Sequence, residues 1–174
     1  MVLTAPPGAG KVETPRRNQA EDAPLTGVRI LIVESRYYED IATMLLAGAT
    51  RALEAAGADC EVITVPGALE IPQAIALALD ADREAFVGVV ALGCVIRGET
   101  SHYDIVAGES ARALMDIGMA RGIPVGNGIL TVDTIDQARK RAAPDKGDKG
   151  GTAAAAALAL VRFKRRLKMP RKQR

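Results

Sequence analysis

The stretch Phe86-Val87-Gly88-Val89-Val90-Ala91-Leu92-Gly93-Cys94-Val95-Ile96-Arg97-Gly98-Glu99-Thr100-Ser101-His102-Tyr103-Asp104 passes from an apolar run, through a polar turn, into a helical pattern. Residues 86–92 carry no charge and suit a strand buried on both faces. The segment from Val95 to Asp104 turns polar and contains Gly98. Ser101 and Asp104 have the spacing of a capping box, which predicts a helix from there to about residue 120. Strand, loop and helix start therefore meet around His102, the only histidine of the chain. An imidazole gives or takes a proton near neutral pH more readily than any other unperturbed side chain. The segment is thus a candidate for proton-transfer chemistry.

The same alternation runs outward in both directions. Residues 28–33 form a short β-branched run, and residues 40–56 place Ile41, Leu45, Ala49, Ala52 and Leu53 on one helical face that Gly57 can close. Residues 60–65 read as a strand ending at Pro66-Gly67. The helix predicted over 69–79 repeats Ile71, Ile75 and Leu79, with Pro72 early enough to be tolerated. Residues 124–130 form a shorter, Gly-interrupted strand. Thr134 to Gln137 repeats the capping spacing and opens a helix that ends before Pro144. Gly150-Gly151 then precede an Ala-rich helix over 152–166, whose run from Ala153 to Ala157 implies close helix packing. Strand–helix alternation throughout means right-handed parallel crossovers and an α/β fold with one sheet covered on both faces.

Bulk properties narrow the class. The 174 residues suffice for one domain with a sizeable core. With 3% aromatics, that core must rest on Ala, Val, Ile and Leu. No apolar run approaches the roughly 20 residues needed to span a bilayer, and the N-terminus lacks a secretory pattern. Cys60 and Cys94 have no metal-ligand spacing, so a reducing cytoplasm is the expected compartment. Residues 162–174 hold eight Lys or Arg and no acid, so the remaining 15 basic residues face 21 acids, a balance of −6. A basic tail can meet nucleic acid or anionic lipid. A solvated helix end accounts for it more simply, and nucleic acid is not the expected partner. Residues 1–24 are expected to be a disordered extension, 25–167 the domain, and 168–174 the basic tail. Pro7-Gly8-Ala9-Gly10-Lys11 lacks the spacing, the following Ser or Thr, and the preceding strand of a phosphate loop.

In an open parallel sheet, ligands bind beyond the carboxyl ends of the strands. Those ends carry Tyr37 and Tyr38, the 66–70 segment, the His102 segment and Asp133. All three tyrosines, Tyr37, Tyr38 and Tyr103, fall there, which is consistent with a flat ligand stacked on a ring and equally with the ordinary preference of tyrosine for loop edges. Anion recognition has two candidate sources, the helix start at 98–101 and the flexible, basic stretch 139–149. No convergent metal-ligand set and no GxGxxG fingerprint are present, so no metal or dinucleotide is expected. Cys94 is read as a small buried residue ending a strand and not as a nucleophile.

Four blocks, Val65-Pro66-Gly67-Ala68-Leu69-Glu70-Ile71-Pro72, residues 93–103, Gly128-Ile129-Leu130-Thr131 and Asp148-Lys149-Gly150-Gly151, occur in the order seen in lumazine synthases. Over residues 28–167 the chain resembles that family. The resemblance implies a three-layer α/β/α sandwich around a four-stranded parallel sheet, flavodoxin-like in topology. It implies condensation of 5-amino-6-ribitylaminouracil with 3,4-dihydroxy-2-butanone 4-phosphate, giving 6,7-dimethyl-8-ribityllumazine, phosphate and water, without a metal or organic cofactor. By position, His102 matches the proton-transfer histidine. Arg141 matches the arginine that grips the phosphate, aided by Gly98, Glu99 and Thr100. Tyr37 falls where a stacking Phe is usual. Ala68, Leu69 and Glu70 match the segment against the ribityl chain, Val95 and Ile96 offer backbone groups to the heterocycle, and Lys149 lies near the uracil ring.

The resemblance further implies a homopentamer whose active sites lie between subunits, with Asn127, Arg141 and Lys149 from the neighbour. Some members assemble twelve pentamers into a hollow capsid; the tails favour an isolated pentamer or a pair here. Two departures stand out. Tyr37-Tyr38 replaces a frequent Phe-Asn, and Asn127 stands where many members carry an aromatic. They keep a second reading open, a non-catalytic flavin- or lumazine-binding paralogue, which the phosphate-site residues disfavour.

Overall fold

The computed structural model describes residues 24–82 and 84–168. Apart from Pro24 and Lys168, the expected N-terminal extension and basic tail lie outside the described residues. The elements follow in the order β1 (Arg29–Ser35), α1 (Glu39–Ala55), β2 (Asp59–Val65), α2 (Glu70–Ala81), β3 (Gly88–Ile96), α3 (His102–Arg121), β4 (Val125–Val132), α4 (Ile135–Ala142) and α5 (Lys149–Lys168). All strand pairings are parallel, in the order β2-β1-β3-β4.

Side chains alternate across a strand, so each inner strand feeds two cores. Ile30, Ile32, Val90 and Leu92 point to one face, where they meet Ile41 and Leu45 of α1 and the alanines of α5. Leu31, Val33, Val89 and Ala91 point to the other, against Ile71 and Ile75 of α2 and Leu114 of α3. Three α/β/α layers result, as the alternation of patterns predicts. Each fully buried Leu or Ile contributes about 1.5–3 kcal/mol, and Ile30, Leu31, Ile32, Ile41, Leu45, Ile71 and Ile75 are all at 0% exposure. β2 is the exposed edge, with Asp59, Cys60, Glu61 and Val62 open to solvent.

The Ala-rich helix packs as its composition requires. Ala153, Ala154 and Ala157 are buried, and Gly126 of β4 comes so close to Ala153 that a Cβ would overlap its carbonyl group. Small residues on both sides let the backbone of α5 approach the sheet.

Several boundaries differ from the sequence reading. β3 runs four residues past Leu92, because Gly93, Cys94, Val95 and Ile96 pair with Ile129, Leu130, Thr131 and Val132 of β4. Val95 and Ile96 therefore belong to the strand and not to the loop. Gly150 and Gly151 lie inside the first turn of α5, since their lack of a Cβ lets that turn press on α1 and on Asp148. Ser101 does precede α3, but its side chain makes no cap bond, and Asp104 is drawn to Arg97 instead. The second capping pattern does form. Thr134 Oγ1 accepts from Gln137 N at 3.2 Å, and Gln137 Oε1 accepts from Asp133 N at 2.8 Å.

Candidate active site

Chain direction across the sheet reverses between β1 and β3, because β2 lies outside β1 while β4 lies beyond β3. At such a switch point the loops leave in opposite directions and open a crevice at the strands' carboxyl ends. A cleft of about 440 Å³ lies there. Its lining comes from Ser35, Tyr37 and Tyr38 after β1, from Gly67, Ala68, Leu69 and Glu70 after β2, and from Cys94, Val95 and Ile96 of β3. His102 and Val106 of α3 complete it.

The loop after β1 is fixed by a buried carboxylate. Glu34 is 3% exposed and accepts from Arg36 Nη1 at 3.1 Å and from Thr64 Oγ1 at 3.2 Å. Arg36 reaches on to Glu39 at 2.8 Å and Thr43 at 2.8 Å. Hydrogen bonds to Glu39 and then Glu34 raise the guanidinium pKa, so it stays charged. Tyr37 and Tyr38 follow in T-shaped contact, with centroids 5.0 Å apart. Tyr38 is half-buried, and burial raises its phenol pKa. Tyr37 is 72% exposed, so its ring is free to stack on something else. Tyr103 does not join them; it turns away beneath Arg97 and borders a second recess.

His102 is exposed at the first position of α3, and its backbone N–H donates to Thr100 Oγ1 at 3.4 Å. Gly98, Glu99 and Thr100 form an exposed loop beside it. Cys94 is buried in the cleft floor. Burial, with a smaller push from the Asp40 charge, drives its thiol up to about 11, so it stays protonated and inert.

Asn127, Arg141 and Lys149 are not among the described residues that line this cleft. Asn127 lies on β4 and borders the second recess, of about 430 Å³, with Tyr103, Ile129 and Thr131. Arg141 is exposed in the last turn of α4, and Lys149 begins α5. The stretch 139–149, expected to be a flexible basic loop, is tied down instead. Arg139 pairs with Asp40 at 3.0 Å, and Arg51 donates to Asp148 at 2.8 Å and to Pro144 O at 3.3 Å. Asp148, at φ 40°, accepts from Gly151 N at 3.1 Å and so caps α5.

Sequence reasoning set Ser35 and Gly67 at the crevice edge without a role, gave Cys94 and Val106 no place in the site, and gave Asp148 and Arg97 no positioning role. The Asp-Lys-Gly-Gly spacing carried the Asp148 signal, since an acid three residues before an unencumbered helical N–H is a cap.

The model of the 6,7-dimethyl-8-ribityllumazine synthase family matches residues 27–165. The chain belongs to that family. It is 60% identical over 158 residues to a 6,7-dimethyl-8-ribityllumazine synthase of Azorhizobium caulinodans, covering 89% of this chain and 98% of the relative. A protein of the same name from Methylorubrum extorquens is 62% identical over 144 residues, 81% of this chain and 83% of the relative. One from Xanthobacter autotrophicus is 60% identical over 161 residues, 88% and 98% respectively.

The four lumazine synthase blocks now have places. Residues 65–72 make the β2–α2 wall, 93–103 the end of β3 and the start of α3, 128–131 lie in β4, and 148–151 open α5. The first two build the cleft. The last two lie on β4 and at the head of α5, away from it. Among the described residues, no helix is long and apolar enough to cross a membrane.

Proposed function

We propose that the chain catalyses the reaction its family is named for, forming 6,7-dimethyl-8-ribityllumazine from 5-amino-6-ribitylaminouracil and 3,4-dihydroxy-2-butanone 4-phosphate, with release of phosphate and water. The observation that carries this reading is the cleft at the switch point: one solvent-accessible imidazole faces a floor of strand backbone and a wall with an exposed aromatic ring.

In this reading the pyrimidine lies over the Val95–Ile96 backbone and against the Tyr37 ring, while the ribityl chain runs along Ala68, Leu69 and Glu70. The phosphorylated ketone meets the 98–100 loop, where the dipole of a helix start favours an anion. His102 moves protons as the imine forms, phosphate leaves and the ring closes. Such assistance is worth ~10²–10⁴-fold, and holding two reactants together supplies much of the rest. No metal or organic cofactor enters.

Asn127, Arg141 and Lys149 complete the site from a neighbouring copy, so the working unit is a homo-oligomer, a pentamer by family precedent. Their position outside the chain's own cleft supports this arrangement. A ring of such heterologous contacts closes when the rotation suits it. The cytoplasm is the fitting compartment for an exposed free thiol such as Cys60.

Steady-state kinetics test the proposal. Purified protein given both substrates should release phosphate and build lumazine absorbance, and Arg141→Ala should raise the KM of the phosphorylated substrate more than His102→Ala does. No product above the spontaneous rate would reject the synthase; tight riboflavin binding without turnover would move the reading to a binding paralogue.

A further inference from the structure

Three side chains converge on that of Arg97 at the point where β3 ends. Its guanidinium lies 4.0 Å from the centroid of the Tyr103 ring. Nη2 donates to Asp104 Oδ1 at 3.2 Å, and Nε sits 3.4 Å from Asp133 Oδ1. Its backbone N–H donates to Val132 O at 2.9 Å. Tyr103 and Asp104 belong to the first turn of α3, and Asp133 follows β4 directly.

Segment 98–101 is therefore clamped at both ends. The strand ladder holds one end through the backbone of Arg97. The side chain of the same residue grips the other end through Tyr103 and Asp104, the two residues after His102. Side-chain capping does little of this work: the Ser101 side chain makes no cap bond, and the bond from the His102 backbone N–H to Thr100 Oγ1 is long at 3.4 Å. Arg97 itself is not among the described residues that line the cleft.

Resting on the synthase reading, we propose that Arg97 is a positioning residue: it sets the spacing between the 98–100 loop and the His102 imidazole without touching either substrate. Each ion pair is exposed, with Arg97 at 46%, Asp104 at 63% and Asp133 at 67%, and exposed pairs contribute little stability. Removing them should leave the fold standing and disturb the geometry. A planar guanidinium can meet two carboxylates and a ring face at once; a lysine ammonium cannot. A displacement of about 1 Å in a reacting group can cost ~10²-fold in rate.

The test compares wild type with Arg97→Gln, Arg97→Lys and the double variant Asp104→Asn/Asp133→Asn, which leaves Arg97 in place and frees it. Oligomer size and melting temperature are recorded with kcat, both KM values and inhibition by inorganic phosphate. We expect kcat to fall ~10–10²-fold in all three, with weaker phosphate inhibition and a KM for the ribitylaminouracil within about twofold of wild type. Assembly should be retained, and Arg97→Lys should not restore the rate. Should Arg97→Gln fail to fold, the carboxamide double variant and Arg97→Lys still decide. The proposal is overturned if wild type turns over while the variants stay within about twofold of it, or if activity merely tracks the amount of assembled protein and lysine restores both. Absence of turnover in wild type would instead strike the synthase reading.

Discussion

Gly150, in the first turn of α5, lies so close to Leu45 of α1 that a Cβ on it would overlap the Leu45 carbonyl oxygen. The contact is backbone on backbone, so no rotamer change relieves it. It fixes the head of α5, and with it Lys149, against the helix that leaves β1. Gly150→Ala should therefore destabilise the protein by about 1–3 kcal/mol, the usual range for forced overpacking. Denaturant midpoints would measure this, and a loss below about 0.5 kcal/mol would mean that the two helices part easily.

Asp148 offers a second handle on the same corner. It caps α5 through Gly151 N, receives Arg51, and holds φ at 40°, where a side chain is strained. Asp148→Ala loses the cap and keeps the strain, at a cost of about 1–2 kcal/mol. Asp148→Gly loses the cap but relieves the strain, so it should be the milder variant. The comparison needs only two melting curves. The reverse order would show that strain at φ 40° does not decide the difference, since both variants lose the same side-chain bonds.

The two cysteines should differ in reactivity. Cys60 is exposed on the edge strand, although partial burial and the nearby Glu54 charge raise its thiol pKa. Cys94 is buried and pushed up to about 11. A thiol reagent at pH 8 should label Cys60 and spare Cys94 until the protein is unfolded. The linkage follows: the unfolded chain releases the Cys94 proton near pH 9 while the folded one keeps it to about 11. Between those values the folded state binds more protons, so Cys94 lowers stability as pH rises. Cys94→Ala should flatten that decline in a pH series of melting temperatures.

Most of the fold was legible because its signals are local and repeated. The β-branched runs, the Ile71–Ile75–Leu79 stripe and the Thr134–Gln137 cap all describe what the chain does within a few residues. The errors arose where a distant partner decides. Val95 and Ile96 read as loop from the polar residues that follow them, yet the β4 ladder extends them as strand. Ser101 has the right spacing for a cap, but Arg97 competes for Asp104 and wins. The stretch 139–149 looked loose because its anchors, Asp40 and Arg51, lie about a hundred residues earlier in α1. In the site, the motif blocks located the walls of the cleft, whereas the burial of Glu34 and the role of Arg97 depend on which strands lie side by side.

The division of labour between the His102 cleft and an Arg141 that lies outside it admits a direct measurement. His102→Ala and Arg141→Ala are expressed separately and together, and phosphate release is compared at equal protein. Each alone should be slowed ~10²-fold or more. In randomly mixed rings, roughly one seam in four joins an intact cleft to an intact arginine, so the mixture should regain about a quarter of wild-type activity. A mixture no faster than the mean of the two parents would contradict a site shared between neighbouring copies.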